Sequence, residues 1–256
     1  MTRYALYFQY LGKNYRGSQK QPNKNTIQDE IEKALCTLIK TKISTIFSGR
    51  TDKGVSAYHQ VLHFDTDCKI NKYKFINSIN GILPEDIRIF DIEEKDKTFH
   101  AQKSAKFRHY RYLIRNDLIK SPFDTNAFFY RYKLNENRMN EALKYLQGEH
   151  DFSAFKSQSE NPAKVCNIYY ASAKRSRDEK YIIIDIVGDR FLYNMVRTIV
   201  GTLLLIEKDN LEPLSMLNIL KSKNRSNAGA TADAVGLTLV NVGYGDCSDY
   251  LKQLNT

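Results

Sequence analysis

The run Gly49-Arg50-Thr51-Asp52-Lys53-Gly54-Val55 sets one carboxylate, Asp52, between two cations, with a glycine towards either end. Glycine admits positive φ and lets another molecule approach the backbone closely. Arginine and lysine hold an ionised carboxylate in place or meet phosphate. An ordinary aspartate is ionised at neutral pH, and a neighbouring guanidinium favours that form further. Such a group suits nucleophilic or electrostatic work rather than proton donation. The same residues also read as a plain turn between two strands, a common use of Asp-Lys-Gly. A plain turn, however, has no need of Arg50 and Thr51 just before the acid.

Two further stretches could share in the chemistry. In Phe107-Arg108-His109-Tyr110-Arg111-Tyr112, strand alternation puts Arg108, Tyr110 and Tyr112 on one face and His109 and Arg111 on the other. Interleaved rings and cations suit stacking on bases and pairing with phosphates. A strand with core tyrosines and edge arginines fits the same letters equally well. His109 reads as a packed or surface histidine rather than a base, as do His59, His63 and His100. From Phe191 to Ile206 the pattern is helical, with Phe191, Leu192, Met195, Val196, Ile199, Val200 and Leu203 as a broad apolar stripe. Arg190, Asn194, Arg197 and Gly201 fall on a second stripe, so Arg197 has apolar neighbours and a glycine one turn away. An arginine so placed requires a partner. A structural carboxylate would serve, and if it is Asp52 the structural and catalytic readings merge.

The elements that must carry these residues follow from periodicity and punctuation. Tyr4 to Tyr10 reads as a strand and Leu11 to Asn25 as a loop. Thr26 opens a helix, with Asp29 as a capping-box-like partner and Ile27, Ile31, Leu35, Leu38 and Ile39 as the buried face. Strands at 43–47 and 60–64 flank the Asp52 loop; a helix at 72–82 and a strand at 87–92 complete a β-α-β-β-α-β order. Strands at 107–114 and 127–132 follow, then a helix capped by Asn135 and strands at 165–173 and 181–187. The Phe191 helix, a short helix at 214–220 and a strand at 237–242 end the series. This predicts an α+β fold of two ferredoxin-like halves, residues 1–105 and 106–256, sharing a mostly antiparallel central sheet flanked by helices. The active-site cleft is expected between the halves.

A formal charge of +10 over 256 residues favours a polyanionic partner. The excess is even: residues 1–105 carry 17 basic and 12 acidic side chains, +5, and residues 106–256 carry 22 and 17, again +5. That reads as a folded basic surface rather than a basic tail. No apolar run approaches the roughly 20 residues of a membrane span, and no signal-peptide pattern opens the chain. Cys36, Cys68, Cys166 and Cys247 never form C-x-x-C, which argues against structural zinc and for reduced thiols in a cytoplasm. Phosphate-loop, zinc-protease, serine-hydrolase and dinucleotide motifs are absent, and Asp65 and Asp67 form no metal-ligand cluster with Asp52. No cofactor is expected.

Taken together these stretches resemble the TruA family of tRNA pseudouridine synthases, from Tyr4 to Tyr244. Gly49 to Val55 is similar to the family's Gly-Arg-Thr-Asp-x-Gly-Val signature, whose aspartate is the nucleophile. Phe99-His100-Ala101 through Arg108-x-Tyr110-x-Tyr112 resembles the segment holding the active-site tyrosine, which falls on Tyr110. Asp151-Phe152-Ser153 and Met195-Val196-Arg197-x-Ile199-Val200-Gly201 resemble second-half motifs, the latter supplying the arginine paired with the acid. Ala232-x-x-x-Gly236-Leu237-x-Leu239 resembles the closing strand. Ser18 stands where a tryptophan is usual, Ser56 at a common histidine and Asp233 at a usual proline. The resemblance implies an isomerase converting uridine to pseudouridine at positions 38 to 40 of the tRNA anticodon arm. Asp52 would be catalytic, and Tyr110, Arg197, Arg50, Lys53 and Leu237 would bind substrate. It also implies a homodimer in which one tRNA touches both subunits. A non-catalytic RNA-binding protein or chaperone on the same fold is the alternative.

Overall fold

A computed structural model of the protein describes residues 1–158 and 162–254. Its strands are β1 (Thr2–Tyr10), β2 (Ile46–Phe47), β3 (Ser56–Thr66), β4 (Ile87–Lys95), β5 (Phe107–Arg115), β6 (Phe128–Phe129), β7 (Gly148–Asp151), β8 (Val165–Arg175), β9 (Tyr181–Gly188) and β10 (Leu237–Gly243). The α-helices are α1 (Ile27–Ile39), α2 (Lys72–Ile82), α3 (Glu136–Lys144), α4 (Met195–Lys208), α5 (Ser215–Ser222) and α6 (Cys247–Leu254). They form an α+β fold whose strand pairs are mostly antiparallel, organised as two compact units.

The first unit holds residues 1–106 and 238–246. β1 runs antiparallel to both β3 and β4, with Leu6 opposite Leu62 on one side and Ile92 on the other. β2 pairs with β3 near His63, giving the order β4-β1-β3-β2 of a ferredoxin-like half. β10 takes the other end of that edge, parallel to β3, with Thr238 opposite Ser56. Tyr4, Leu6, Phe8 and Tyr10 alternate into the core with Ile27, Ile31, Ala34 and Leu35 of α1 and Ile79 of α2. Each of the Leu, Ile and Phe side chains contributes about 1.5–3 kcal/mol on burial. Thr26 caps α1 as expected: its hydroxyl donates to Asp29 Oδ2 (2.7 Å) and accepts from the Asp29 N–H (3.3 Å).

His63, on β3, is buried and its Nδ1 accepts from the Ala101 N–H (3.1 Å). Its ring lies edge-on to Phe99, whose ring is 5.0 Å from that of Tyr244. Burial, and then the nearby Arg3 cation, push the imidazole down to about 4.

The second unit comprises residues 107–237 and α6. Its antiparallel strands run β5-β9-β8-β7. In chain order β5, α3, β8, β9 and α4, followed by β10 of the first unit, repeat the β-α-β-β-α-β succession, with β7 and α5 as additions. Tyr112 and Ile114 of β5 and Ile182, Ile184 and Ile186 of β9 are buried, as are Met139, Leu143, Ile199, Val200 and Leu203 of the helices. On the opposite face of β5, buried His109 bonds Asp185 through Nε2 (2.7 Å) and Tyr250 through Nδ1 (2.7 Å). Arg111 adds two bonds to Asp185, at 2.8 and 3.1 Å. Burial works against the charged form of Asp185, but His109 and Arg111 outweigh it and hold the carboxyl below its ordinary range. Tyr250 belongs to α6, which sequence periodicity did not suggest, and stacks on Phe107 at 4.8 Å.

α4 starts at Met195 rather than near Phe191, because Asn194 sits at φ +62°. A right-handed helix cannot run through a left-handed residue. Arg190 and Asn194 therefore belong to the approach to α4 and not to a stripe on it. The strand regions expected at 43–47 and 127–132 contract to Ile46–Phe47 and Phe128–Phe129.

The depressed imidazole of His63 carries a sign for stability. Between pH 6.5 and about 4 the unfolded chain takes up a proton that folded His63 does not, so stability falls as pH drops through that window. His63→Asn, which keeps an acceptor for the Ala101 N–H, is expected to flatten this part of a Tm-against-pH curve. An unchanged slope would show that His63 does not set it.

Candidate active site

The Asp52 turn joins β2 to β3 and touches Tyr10 at the end of β1. Its foundation is Thr51, which is buried and bonded on every polar atom. The Thr51 N–H donates to Ser18 Oγ (2.8 Å), its carbonyl accepts from the Ser18 N–H (3.1 Å), and its hydroxyl bonds the Tyr10 hydroxyl (2.7 Å). Burial pushes the Tyr10 phenol up to about 12, only partly relieved by hydrogen bonds from Thr51 and its neighbours, so Tyr10 stays neutral. On the far side the Val55 N–H donates to the Asp52 carbonyl (3.1 Å), with Gly54 at φ +83°. On the near side the Ser48 hydroxyl and the Gly49 carbonyl are both held by the Gln60 amide. Asp52 itself is half-buried, while Arg50 and Lys53 are exposed.

A second loop, Leu11 to Ser18, lies directly against this turn. A Cβ at Gly12 would stand 2.1 Å from the Val55 carbonyl oxygen, and one at Gly17, at φ +104°, would stand 3.0 Å from that of Thr51. The Gly12 N–H donates to Ser56 Oγ (3.1 Å). The serines at the two departures from the family pattern thus both brace the acid's loop. Of the two glycines beside the acid, only Gly54 uses the freedom expected of it; Gly49 has nothing within 4 Å of a Cβ and lacks positive φ.

Tyr110, Arg197 and Leu237 belong to the second unit. Tyr110 lies on β5 with its ring edge-on to Phe191 at 5.1 Å. Arg197, on the first turn of α4, donates from Nε to the Ala232 carbonyl (2.7 Å) and from Nη1 to Asn194 Oδ1 (3.0 Å). These two bonds fix the plane of the guanidinium. Gly201, one turn on, clears space for the crossing chain: a Cβ there would lie 1.7 Å from the Ala230 carbonyl oxygen. The same crossing segment reaches β5, where the Tyr112 hydroxyl donates to the Asp233 carbonyl (2.8 Å) and Gly236 abuts the Tyr112 ring. Leu237 follows immediately and is buried. One segment, 228–237, therefore ties the arginine helix to the tyrosine strand.

A family model described as tRNA pseudouridine synthase matches residues 6–107 and 142–245. The chain belongs to the tRNA pseudouridine synthase family. Asp52, Arg50, Lys53, Arg197 and Leu237 lie within the matched stretches, and Tyr110 stands three residues beyond the first. A tRNA pseudouridine synthase A of Exiguobacterium sp. is 41% identical over 246 residues, covering 95% of this chain and 98% of the relative. Those of Clostridium acetobutylicum and Prochlorococcus marinus are 40% and 38% identical, covering 95% and 100% of this chain and 100% and 95% of the relatives. Among solved structures, a Cbf5–Nop10–Gar1 complex gives a weak likeness, with TM-score 0.41 at 9% identity over 92% of this chain and 57% of that one. Enzymes of the synthase family are isomerases that convert uridine to pseudouridine in tRNA.

Tyr10, Ser18 and Gln60 support this synthase's acid loop but were not legible as site residues. The available signal was indirect: Gly12 and Gly17 bracket a polar loop that has no other need of two glycines. Gly12→Ala is expected to destabilise the protein by about 1–3 kcal/mol through overpacking on backbone. Gly49→Ala should change stability by less than about 0.5 kcal/mol. Urea unfolding of the two variants checks the contrast.

Proposed function

We propose that this synthase isomerises uridine at positions 38 to 40 of the tRNA anticodon arm, with Asp52 as the catalytic carboxylate. The reaction is redox-neutral. The N1–C1′ bond breaks, the uracil turns, a C5–C1′ bond forms, C5 loses a proton and N1 gains one. Asp52 attacks the sugar, attacks the base or takes the C2′ proton; all three require an ionised carboxylate held still. The observation that carries the reading is the pinning of the turn on both sides of Asp52, by Ser18 and Tyr10 before it and by Val55 after it. Fixed orientation of one reacting group accounts for much of what such sites achieve.

The other residues follow from their chemistry. Tyr110, braced by Phe191, stacks on the uracil once it leaves the helix, a step that costs a few kcal/mol. Arg197 orients the Asp52 carboxylate, its own plane set by Ala232 and Asn194. Arg50 and Lys53 meet RNA phosphates, and Leu237 gives the base an apolar contact. Phosphate contacts of this kind offset the cost of extruding the base and make binding salt-dependent. In this reading the enzyme works in a cytoplasm, as a homodimer, without a cofactor.

Asp52→Asn is expected to bind tRNA as the wild type does but to lower tritium release from C5-labelled uridine by about three orders of magnitude or more, as loss of a nucleophile does. Wild-type-like release would overturn the role of Asp52. A non-catalytic RNA-binding protein would give no release even from the wild type. Arg197→Lys cannot bond Ala232 and Asn194 in the same plane, so it should lose turnover beyond what its shift in melting temperature explains. Retained turnover would remove Arg197 from the site.

A further inference from the structure

The loop that packs on the Asp52 turn carries two cations of its own, Lys13 and Arg16, both exposed. The backbone that carries them is held in place. Gly12 rests on Val55 and Gly17 on Thr51, so each cation is one residue from a backbone contact with the acid's turn. Between them, buried Tyr15 donates its hydroxyl to Asp86 Oδ1 (2.5 Å) and Asn14 donates to Asp86 Oδ2 (3.2 Å). The Arg16 N–H donates to the Asn25 carbonyl (2.9 Å) and the Arg16 carbonyl accepts from Gln21 Nε2 (3.0 Å). The acid that touches this loop, Asp86, is thus occupied by neutral donors.

Lys20, Lys33 and Lys72 of the same unit are paired with Asp29, Glu30 and Asp91. Among the described residues Lys13, Arg16, Arg50 and Lys53 form no ion pair. Lys40, Lys42 and Lys74 of the same unit also lack one among the described residues, so what sets Lys13 and Arg16 apart is their place on the loop packed against the Asp52 turn. Four unmatched cations around one turn repel one another in the isolated protein. Such an arrangement is suited to a ligand that brings several negative charges at once.

We propose that Lys13 and Arg16 bind backbone phosphates of the RNA strand that presents its uridine to Asp52, extending the contact made by Arg50 and Lys53. This rests on tRNA being the substrate. The contact is with phosphate and not with base edges, so it sets affinity and register without reading sequence. It also keeps clear of the reacting atoms.

The test is a Lys13→Gln/Arg16→Gln double variant of the full chain, titrated with an unmodified tRNA transcript at 50 and 200 mM salt. Each lost phosphate contact removes about threefold from the drop in affinity over that range, so the drop should shrink by about tenfold. Turnover at saturating tRNA should match the wild type, and the melting temperature should hold, since neither side chain has an ion-pair partner among the described residues. A Lys13→Arg/Arg16→Lys exchange should bind as the wild type does. Wild-type affinity and salt dependence in the double variant, with an active wild type, would overturn this proposal alone. So would lost turnover at unchanged affinity. An inactive wild type would instead overturn the isomerase reading itself.

Discussion

The α-carbon of Gly12 rests against the carbonyl of Val55, and the placement of Asp52 depends on that contact. No side chain fits between the two segments, since even a methyl group would lie 2.1 Å from oxygen. Backbone on backbone is a stiff contact, because neither partner has rotamers to relax into. The bonds from Ser56 to Gly12 and from Ser18 to Thr51 then lock the two segments in register. A carboxylate on an isolated hairpin turn would sample many orientations. Here its neighbours on both sides are bonded to a loop that is itself bonded to Asp86 and Asn25.

The second unit uses the same device. Gly201 lets the chain at Ala230 cross α4, and the crossing segment supplies the carbonyl of Ala232 that receives Arg197 Nε. Without that glycine the carbonyl would stand off the helix and the guanidinium would lose the bond from Nε. The Thr202 hydroxyl reinforces the crossing by accepting from the Gly229 N–H (2.9 Å). In each unit, then, a glycine with no conformational peculiarity sets a close backbone crossing beside a charged side chain. Its role is spatial, and only Gly17 and Gly54 near the acid call on positive φ.

This explains what was and was not legible in the sequence. The alternation of Tyr4, Leu6, Phe8 and Tyr10 and the spacing of Ile27, Ile31 and Leu35 are local signals, and the elements they announce are present. The boundary of α4 was misread because apolar residues from Phe191 onward keep helical spacing, while Asn194 in the left-handed region is decided by its bonds to Ser157 and Arg197. α6 escaped because none of its residues is buried and its anchoring tyrosine pairs with His109, 141 positions away. The same holds for Ser18: its serine chemistry is ordinary, and its partner Thr51 is 33 residues on. Motif letters single out Asp52, but the atoms that hold its loop come from non-local pairing.

The departures from the family pattern acquire a physical meaning on this footing. Ser18 and Ser56 are nearly inaccessible, at 1% and 8% exposure; the Ser18 hydroxyl accepts the Thr51 N–H of the acid loop, and the Ser56 hydroxyl accepts the Gly12 N–H of the loop packed on it. A buried backbone donor left without an acceptor costs about 1–3 kcal/mol, so these serines are structural parts of the loop rather than vacant positions for larger rings. A tryptophan or histidine there would offer a flat face for stacking; a buried hydroxyl offers none. What remains exposed around Asp52 is charge, in Arg50 and Lys53. On the proposed function, recognition at this edge of the site would be weighted towards phosphate and away from base stacking, with the Asp52 loop held by its buried hydroxyls.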